Sequence, residues 1–400
     1  MKKNLFLIVF NFIFFNCLYS QSNSLKPQTI ASWTEKVQIR GYLQTRYNRL
    51  FETNQKLRCE QCDRSWGENQ SVFIRRARII FFGQVSEQVY FYIQPDLASA
   101  PSTATQNFAQ IRDAYVDVGF DKKNEFRIRI GQSKIPYGFE NMQSSQNRIA
   151  LDRTDALNSA VSNERDLGAF FYWAPRKKRE LFRDLVANGL KGSGDYGVFA
   201  FGVYNGQTAN RPELNNSMHK VARFTWPFTI NKQIIEASIQ GYTGKYVVPK
   251  EQTSSLTKIH SNREFLDERV AATFILYPKP FGVNLEYNIG SGPVYNKLKD
   301  SIETQRLNGG YIQFSYYLKI KQQTIIPFYR FHYYNGGKKH ELDARSYNVN
   351  ESELGVEWQL SKAFEFVAMF TISKRRFEDN INENNYQKGS LLRLQAQLNF

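Results

Sequence analysis

The stretch L-L-R-L-Q-A-Q-L-N-F, residues 391–400, decides the fold. From Leu392 its alternation is unbroken. Leu392, Leu394, Ala396, Leu398 and Phe400 share one face; Arg393, Gln395, Gln397 and Asn399 share the other. Period two with one apolar and one polar face is a β-strand. The expectation is a closing strand that pairs with the first and leaves no open edge. That predicts a membrane-spanning antiparallel β-barrel.

The other terminus suits such an address. Lys2 and Lys3 precede an apolar run over 5–15, broken only by Asn11, and Ser20 is a small residue before Gln21. This reads as a secretory signal peptide over 1–20. The run is shorter than the roughly 20 residues that a membrane helix needs. Cys17 opens a lipoprotein alternative, for which Asn16 is a poor preceding residue. Residues 21–35 read as a periplasmic N-terminal segment and 36–400 as the barrel.

Mean hydropathy is −0.52. A barrel tolerates that value because only every second strand residue must be apolar. The 32 Phe and 23 Tyr fit aromatic girdles at the two membrane interfaces. The formal charge is +16. In the outer membrane the partners open to it are lipid, lipopolysaccharide and permeating anions, not nucleic acid. Two readings stand: basic loops against anionic headgroups, or a positive lumen that draws in anions.

Beyond Cys17, the cysteines are Cys59 and Cys62, in C-E-Q-C. A zinc site needs further ligands, and there is no second C-x-x-C or paired-His motif. A redox site needs a βαβ context. The pair points to a loop disulfide in an oxidising compartment. No cofactor is expected.

Along the chain, the pattern predicts about sixteen strands, near 37–47, 73–83, 89–96, 111–120, 126–131, 167–174, 196–204, 221–228, 234–242, 270–277, 281–289, 311–320, 324–334, 354–360, 364–373 and 391–400. Short and long connections alternate, as periplasmic turns and outer loops do. The connection Lys134 to Arg165 is of a length that is usually functional, and it counts as the third outer loop. A basic segment, Arg176 to Arg179, opens an irregular stretch in which a short helix could form. Pro327 sits awkwardly inside a strand.

An Arg or Lys on the lipid face costs roughly 2–4 kcal/mol at the midplane. That sets the strand phases. Arg40 and Arg46 share the polar phase of the first strand, and Arg127 and Arg129 alternate with Phe and Ile, so all four should face inward. Arg223 and Arg393 follow. R-R-A-R over 75–78 places arginine in both phases; Arg76 and Arg78 go inward, and Arg75 snorkels near an interface. The lumen should also hold Asp96, Asp113, Asp117, Glu236, Glu286 and Glu357. The expectation is a positive stripe on one wall, against the alternative of a generic polar lumen with paired charges.

Several motifs together resemble the phosphate- and polyphosphate-selective porins, the O/P porin family. They are F-I-R-R-A-R-I at 73–79, I-R-D-A-Y-V-D at 111–117, I-G-Q-S-K-I-P-Y-G-F-E at 130–140, E-R-D-L-G at 164–168 and V-Y-N-G at 203–206. The resemblance implies a sixteen-stranded trimeric barrel with its third loop folded into the lumen. It also implies an outer-membrane, anion-preferring channel for phosphate or similar oxyanions. The residues carried over are Arg76, Arg78, Arg127, Arg129 and Lys134, whose heads suit oxyanions. Resemblance to outer-membrane barrels in general makes Phe400 a signal to the barrel assembly machinery. The C-x-x-C loop and the basic insert lie outside the family pattern. Rival readings are a general diffusion porin, a structural or adhesive barrel, and a barrel enzyme. The enzyme has least support, since no G-x-S-x-G accompanies the four histidines.

Overall fold

Alternation of apolar and polar residues over successive segments builds sixteen antiparallel strands in the computed structural model, which describes residues 36–52, 71–98, 109–161, 165–381 and 385–400. In chain order they are β1 (Val37–Glu52), β2 (Ser71–Gln84), β3 (Val89–Asp96), β4 (Gln110–Gly119), β5 (Phe126–Lys134), β6 (Arg165–Trp173), β7 (Phe199–Tyr204) and β8 (His219–Ile230). The second half holds β9 (Gln233–Val247), β10 (Glu264–Leu276), β11 (Phe281–Asn296), β12 (Ser301–Tyr316, resuming as Leu318–Ile320), β13 (Gln323–Gly337), β14 (Ser346–Gln359), β15 (Phe364–Glu378) and β16 (Asn385–Asn399). Each strand pairs with the next, and β16 pairs with β1, so the sheet closes. The signal peptide and the C-E-Q-C pair lie outside the described residues.

The closure follows the terminal alternation. Gln44 stands opposite Gln397 and Arg46 opposite Gln395. Gly41 N donates to Phe400 O at 2.7 Å, and Phe400 N to Gly41 O at 3.0 Å. A Cβ on Gly41 would lie 2.5 Å from the Phe400 ring. Glycine at 41 is what lets that ring lie over the seam.

In β8 the phase is plain. Val221, Arg223 and Thr225 are buried inward, while Phe224, Trp226 and Phe228 are exposed on the outer face. The outer face therefore offers aromatic surface to lipid, and the cations that would be costly there turn to the lumen.

Three details depart from the pattern read in the sequence. β7 starts at Phe199, not 196: Gly197 holds φ +72°, and a Cβ there would meet Phe199 O at 2.7 Å. In β2 the phase shifts at Arg75–Arg76. Phe73 is buried between exposed Val72 and Ile74, yet Arg76 and Arg78 are buried after it. Arg75 accordingly reaches Asp152, 3.4 Å away, instead of an interface. Pro327 stays in β13, where the ladder of its neighbour is already broken: β12 leaves off between Tyr316 and Leu318, and Tyr317 N bonds Pro280 O instead.

One end of the barrel carries short turns, such as 231–232 and 321–322 between paired strands. The connections at the other end are mostly longer. The 174–198 connection is the exception at the turn end. It contains α3 (Arg176–Ala187), which follows α1 (Phe139–Met142) and α2 (Asp155–Asn158) among the described residues.

Candidate functional site: the charged bore

Inward phase gives the lumen arginines from every sector of the wall, and carboxylates face most of them. Arg78 Nε lies 2.7 Å from Asp96, and Arg127 Nη1 lies 2.7 Å from Asp195. Arg129 meets Asp117 through two bonds of 2.7 and 2.9 Å, with the Tyr115 ring 3.8 Å from its guanidinium carbon. Arg223 pairs with Glu236 at 2.8 Å, and Arg165 with Asp113 at 2.8 Å. On the far wall Arg330 holds Glu140 and Glu353, each at 2.5 Å, and Arg375 holds Glu351 at 2.7 Å and Asp155 at 3.0 Å. Such pairs offset the desolvation of their partners; one member left alone would be costly.

The carboxylates at 140, 152 and 155 belong to the 135–164 connection. Its side chains meet inward-phase residues on many strands. Asp152 Oδ2 lies 2.8 Å from both Arg46 of β1 and Arg393 of β16. Ser145 Oγ lies 2.6 Å from the Tyr42 hydroxyl and accepts from Arg78 at 3.0 Å. Phe139 N donates to Glu286 of β11 at 2.7 Å. Arg269 of β10 donates to Ala156 O and Ser159 Oγ. Apolar contacts run alongside: Ile149, Ala150 and Leu151 pack on Ile326, Phe328, Val367 and Met369. Burial of the larger of these side chains adds roughly 1.5–3 kcal/mol each to the charge contacts.

Apart from Arg76, the basic residues singled out from sequence fall into three sets. Arg46, Arg78, Arg127 and Arg129 are buried and each engages a carboxylate. Lys134 is buried too, and its ammonium donates to the carbonyls of Met142 and Gln143. Arg40 keeps the inward phase but is exposed at the turn end of β1, over the Phe82 ring at 4.8 Å.

Arg76 stands apart. It is 6% exposed and donates to Gln44 Oε1 at 2.8 Å. Among the described residues no carboxylate lies within ion-pair distance of it. The charges acting on it are those of Arg75, Arg148 and Arg78, offset by Asp152. A buried guanidinium among like charges, bonded among the described residues only to a neutral amide, presents donors with no fixed counter-ion there. A permeating oxyanion matches that geometry.

Gln44 and Arg148 were not singled out by the sequence reading. Gln44 is one of several polar inward residues on β1, and nothing in its alternation marks it. Arg148 sits in the long connection, whose length was the signal, but strand periodicity does not reach it.

Comparison with known proteins follows this geometry. The sequence model of the family described as phosphate-selective porin O and P matches residues 53–400. A search of curated proteins finds no match. Among solved structures, the outer membrane channel DcaP of Acinetobacter baumannii superposes with a TM-score of 0.55 at 13% identity, covering 91% of this chain and 97% of that one. OmpF of Salmonella typhi, in complex with daunomycin, gives 0.53 at 11% identity, covering 91% and 97%. An anion-selective porin from Comamonas acidovorans gives 0.52 at 11% identity, covering 91% and 99%. These likenesses show a shared porin barrel.

Proposed function

The chain belongs to the phosphate-selective porin O and P family, and on that premise we propose that Arg76 is the anion station of its bore. The protein is an anion-selective porin of the bacterial outer membrane. The 135–164 connection is read as its constriction, since it bonds inward-phase residues of β1, β10, β11, β13, β15 and β16. Arg76 carries the proposal because it alone among the residues carried over from the family lacks both a carboxylate and a backbone carbonyl partner among the described residues. The paired arginines fix the wall and the constriction; Arg76, with Arg148 and Gln44 beside it, meets the solute. Binding there must be weak enough for release. Phosphate or a similar oxyanion is the proposed solute class, in a homotrimer, as one solved neighbour is described as a trimer.

A general diffusion porin is the competing reading, favoured by the many neutralised arginines. The two separate in planar bilayers. The chloride-to-potassium permeability ratio is compared in wild type, Arg76→Ala/Arg78→Ala and Lys250→Ala/Lys258→Ala. The bore pair should lower anion preference more than the loop pair, because its field is less screened. Phosphate should block chloride current in wild type and block the bore double variant less. Equal effects of the two pairs would make the charge a surface property and remove Arg76 from the path. Anion preference without phosphate block would leave the diffusion porin.

A further inference from the structure

The 174–198 connection joins β6 to β7 at the turn end, where the sequence needs only a few residues to reverse direction. It instead builds α3, whose 12 residues extend about 18 Å at 1.5 Å per residue. The helix is amphipathic. Phe182 and Leu185 are buried, and Arg176, Lys177 and Arg183 are exposed. Its apolar side joins Ile234, Ile275 and Tyr277 on the inward wall, and Phe139 of the constriction segment.

The chain beyond α3 goes further. Gly189 O accepts the Tyr317 hydroxyl of the β12 wall at 2.5 Å. Lys191 Nζ lies 2.5 Å from Glu357 on β14 and 3.9 Å from Glu365 on β15. Lys191 O accepts from Gln143 of the constriction segment at 2.5 Å. The return leg ends at Asp195, which holds Arg127 of β5 at 2.7 Å and Arg179 of α3 at 2.8 Å. In a ring of sixteen strands β14 stands opposite β6. A segment rooted between β6 and β7 and tethered on β14 therefore crosses the bore.

We propose that residues 174–198 form a second constriction at the turn-side mouth, tethered by Lys191 to Glu357 and Glu365, and that it sets the size limit of the channel. This rests on the reading of the bore as the conducting path. Two crossing segments in series, joined by the Gln143–Lys191 contact, divide the work: the 135–164 connection carries the anion station, and the turn-side segment limits the cross-section. Neutralising Lys191 removes the segment's charge contact with Glu357 and leaves that buried carboxylate without its cation, which favours release of the segment from the far wall.

The test uses the full-length protein in planar bilayers and in liposomes loaded with uncharged oligosaccharides of graded size. One variant replaces residues 176–196 with Asn-Gly; the second is Lys191→Met. Removing the obstruction should raise single-channel conductance about twofold or more and admit larger sugars, and Lys191→Met should raise conductance or add frequent larger openings. Wild-type conductance and size limit in Lys191→Met and in any folded replacement variant would overturn the proposal. A wild type that stays silent while the replacement variant conducts would keep the segment as a closure and sink the porin reading instead. Anion-selective wild-type currents with neither variant altered would sink the second constriction alone.

Discussion

Asp152→Asn asks whether charge holds the 135–164 connection against the barrel wall. Asp152 Oδ2 lies 2.8 Å from Arg46 and from Arg393, and Oδ1 lies 3.4 Å from Arg75. Asparagine keeps the shape and removes the counter-charge. Removing one partner of a buried pair costs roughly 3–5 kcal/mol. The lower end applies, because Arg46 keeps Gln395 Oε1 at 2.8 Å and Arg393 keeps Glu353 at 3.0 Å. At about 3 kcal/mol, with roughly 1.4 kcal/mol per tenfold, the undocked population rises about 100-fold. Amide hydrogen exchange reads this directly. Asn158 N bonds Thr154 O, and Ser159 N bonds Asp155 O, both within the segment. Their protection should fall by about two orders of magnitude, while the β15–β16 ladder keeps its own. Open-channel current should become noisier. Unchanged protection with a quiet open channel would refute charge anchoring, leaving the packing of Ile149 and Leu151 on Ile326 and Phe328 as what holds the segment.

Further outcomes concern the seam, the cysteines and pH. Gly41→Val should impair assembly, because its side chain would displace the Phe400 ring and both seam hydrogen bonds; deleting Phe400 should do the same, and normal outer-membrane levels of either variant would contradict this. Cys59→Ser/Cys62→Ser should leave conductance nearly unchanged; a large loss of conductance, or of bound metal, would give the motif a role beyond a loop bridge. Burial alone would raise the Asp152 carboxyl, but Arg46, Arg75 and Arg393 outweigh it and hold the group well below the usual carboxylate range. A lowered folded pKa means that the anchoring is present above the unfolded pKa near 3.9 and is lost only as pH falls through the folded value. Segment protection should therefore match at pH 7 and about pH 4.5, and a marked drop at the lower pH would contradict the assignment.

Barrel closure was legible because the outer face meets lipid, and lipid enforces period two. The run after Leu391 and the aromatic row of β8 read directly as strand and phase. The same rule correctly sent Arg46, Arg76, Arg78, Arg127, Arg129, Arg223 and Arg393 inward. It failed at Arg75, where the phase shifts within β2, and period two cannot signal such a shift. Pairing was harder still. Asp96, Asp113, Asp117 and Glu236 sit on strands and follow the phase, but Asp152, Asp155 and Asp195 sit in connections and follow no periodicity. A broad positive stripe was a fair expectation from the arginines alone; carboxylates on the strands and in the two long connections reduce it to a neighbourhood around Arg76. The helix after Pro175 was visible only as a basic run. Its buried Phe182 and Leu185 lie three apart, a helical spacing within a chain read for strands.

The central claim is that the net field of the bore favours anions, and the reversal potential of wild-type channels across a potassium chloride gradient tests it most directly. A potential of the sign set by chloride, moving toward zero in Arg76→Gln, is the predicted result. A wild-type potential of the sign set by potassium would contradict the account.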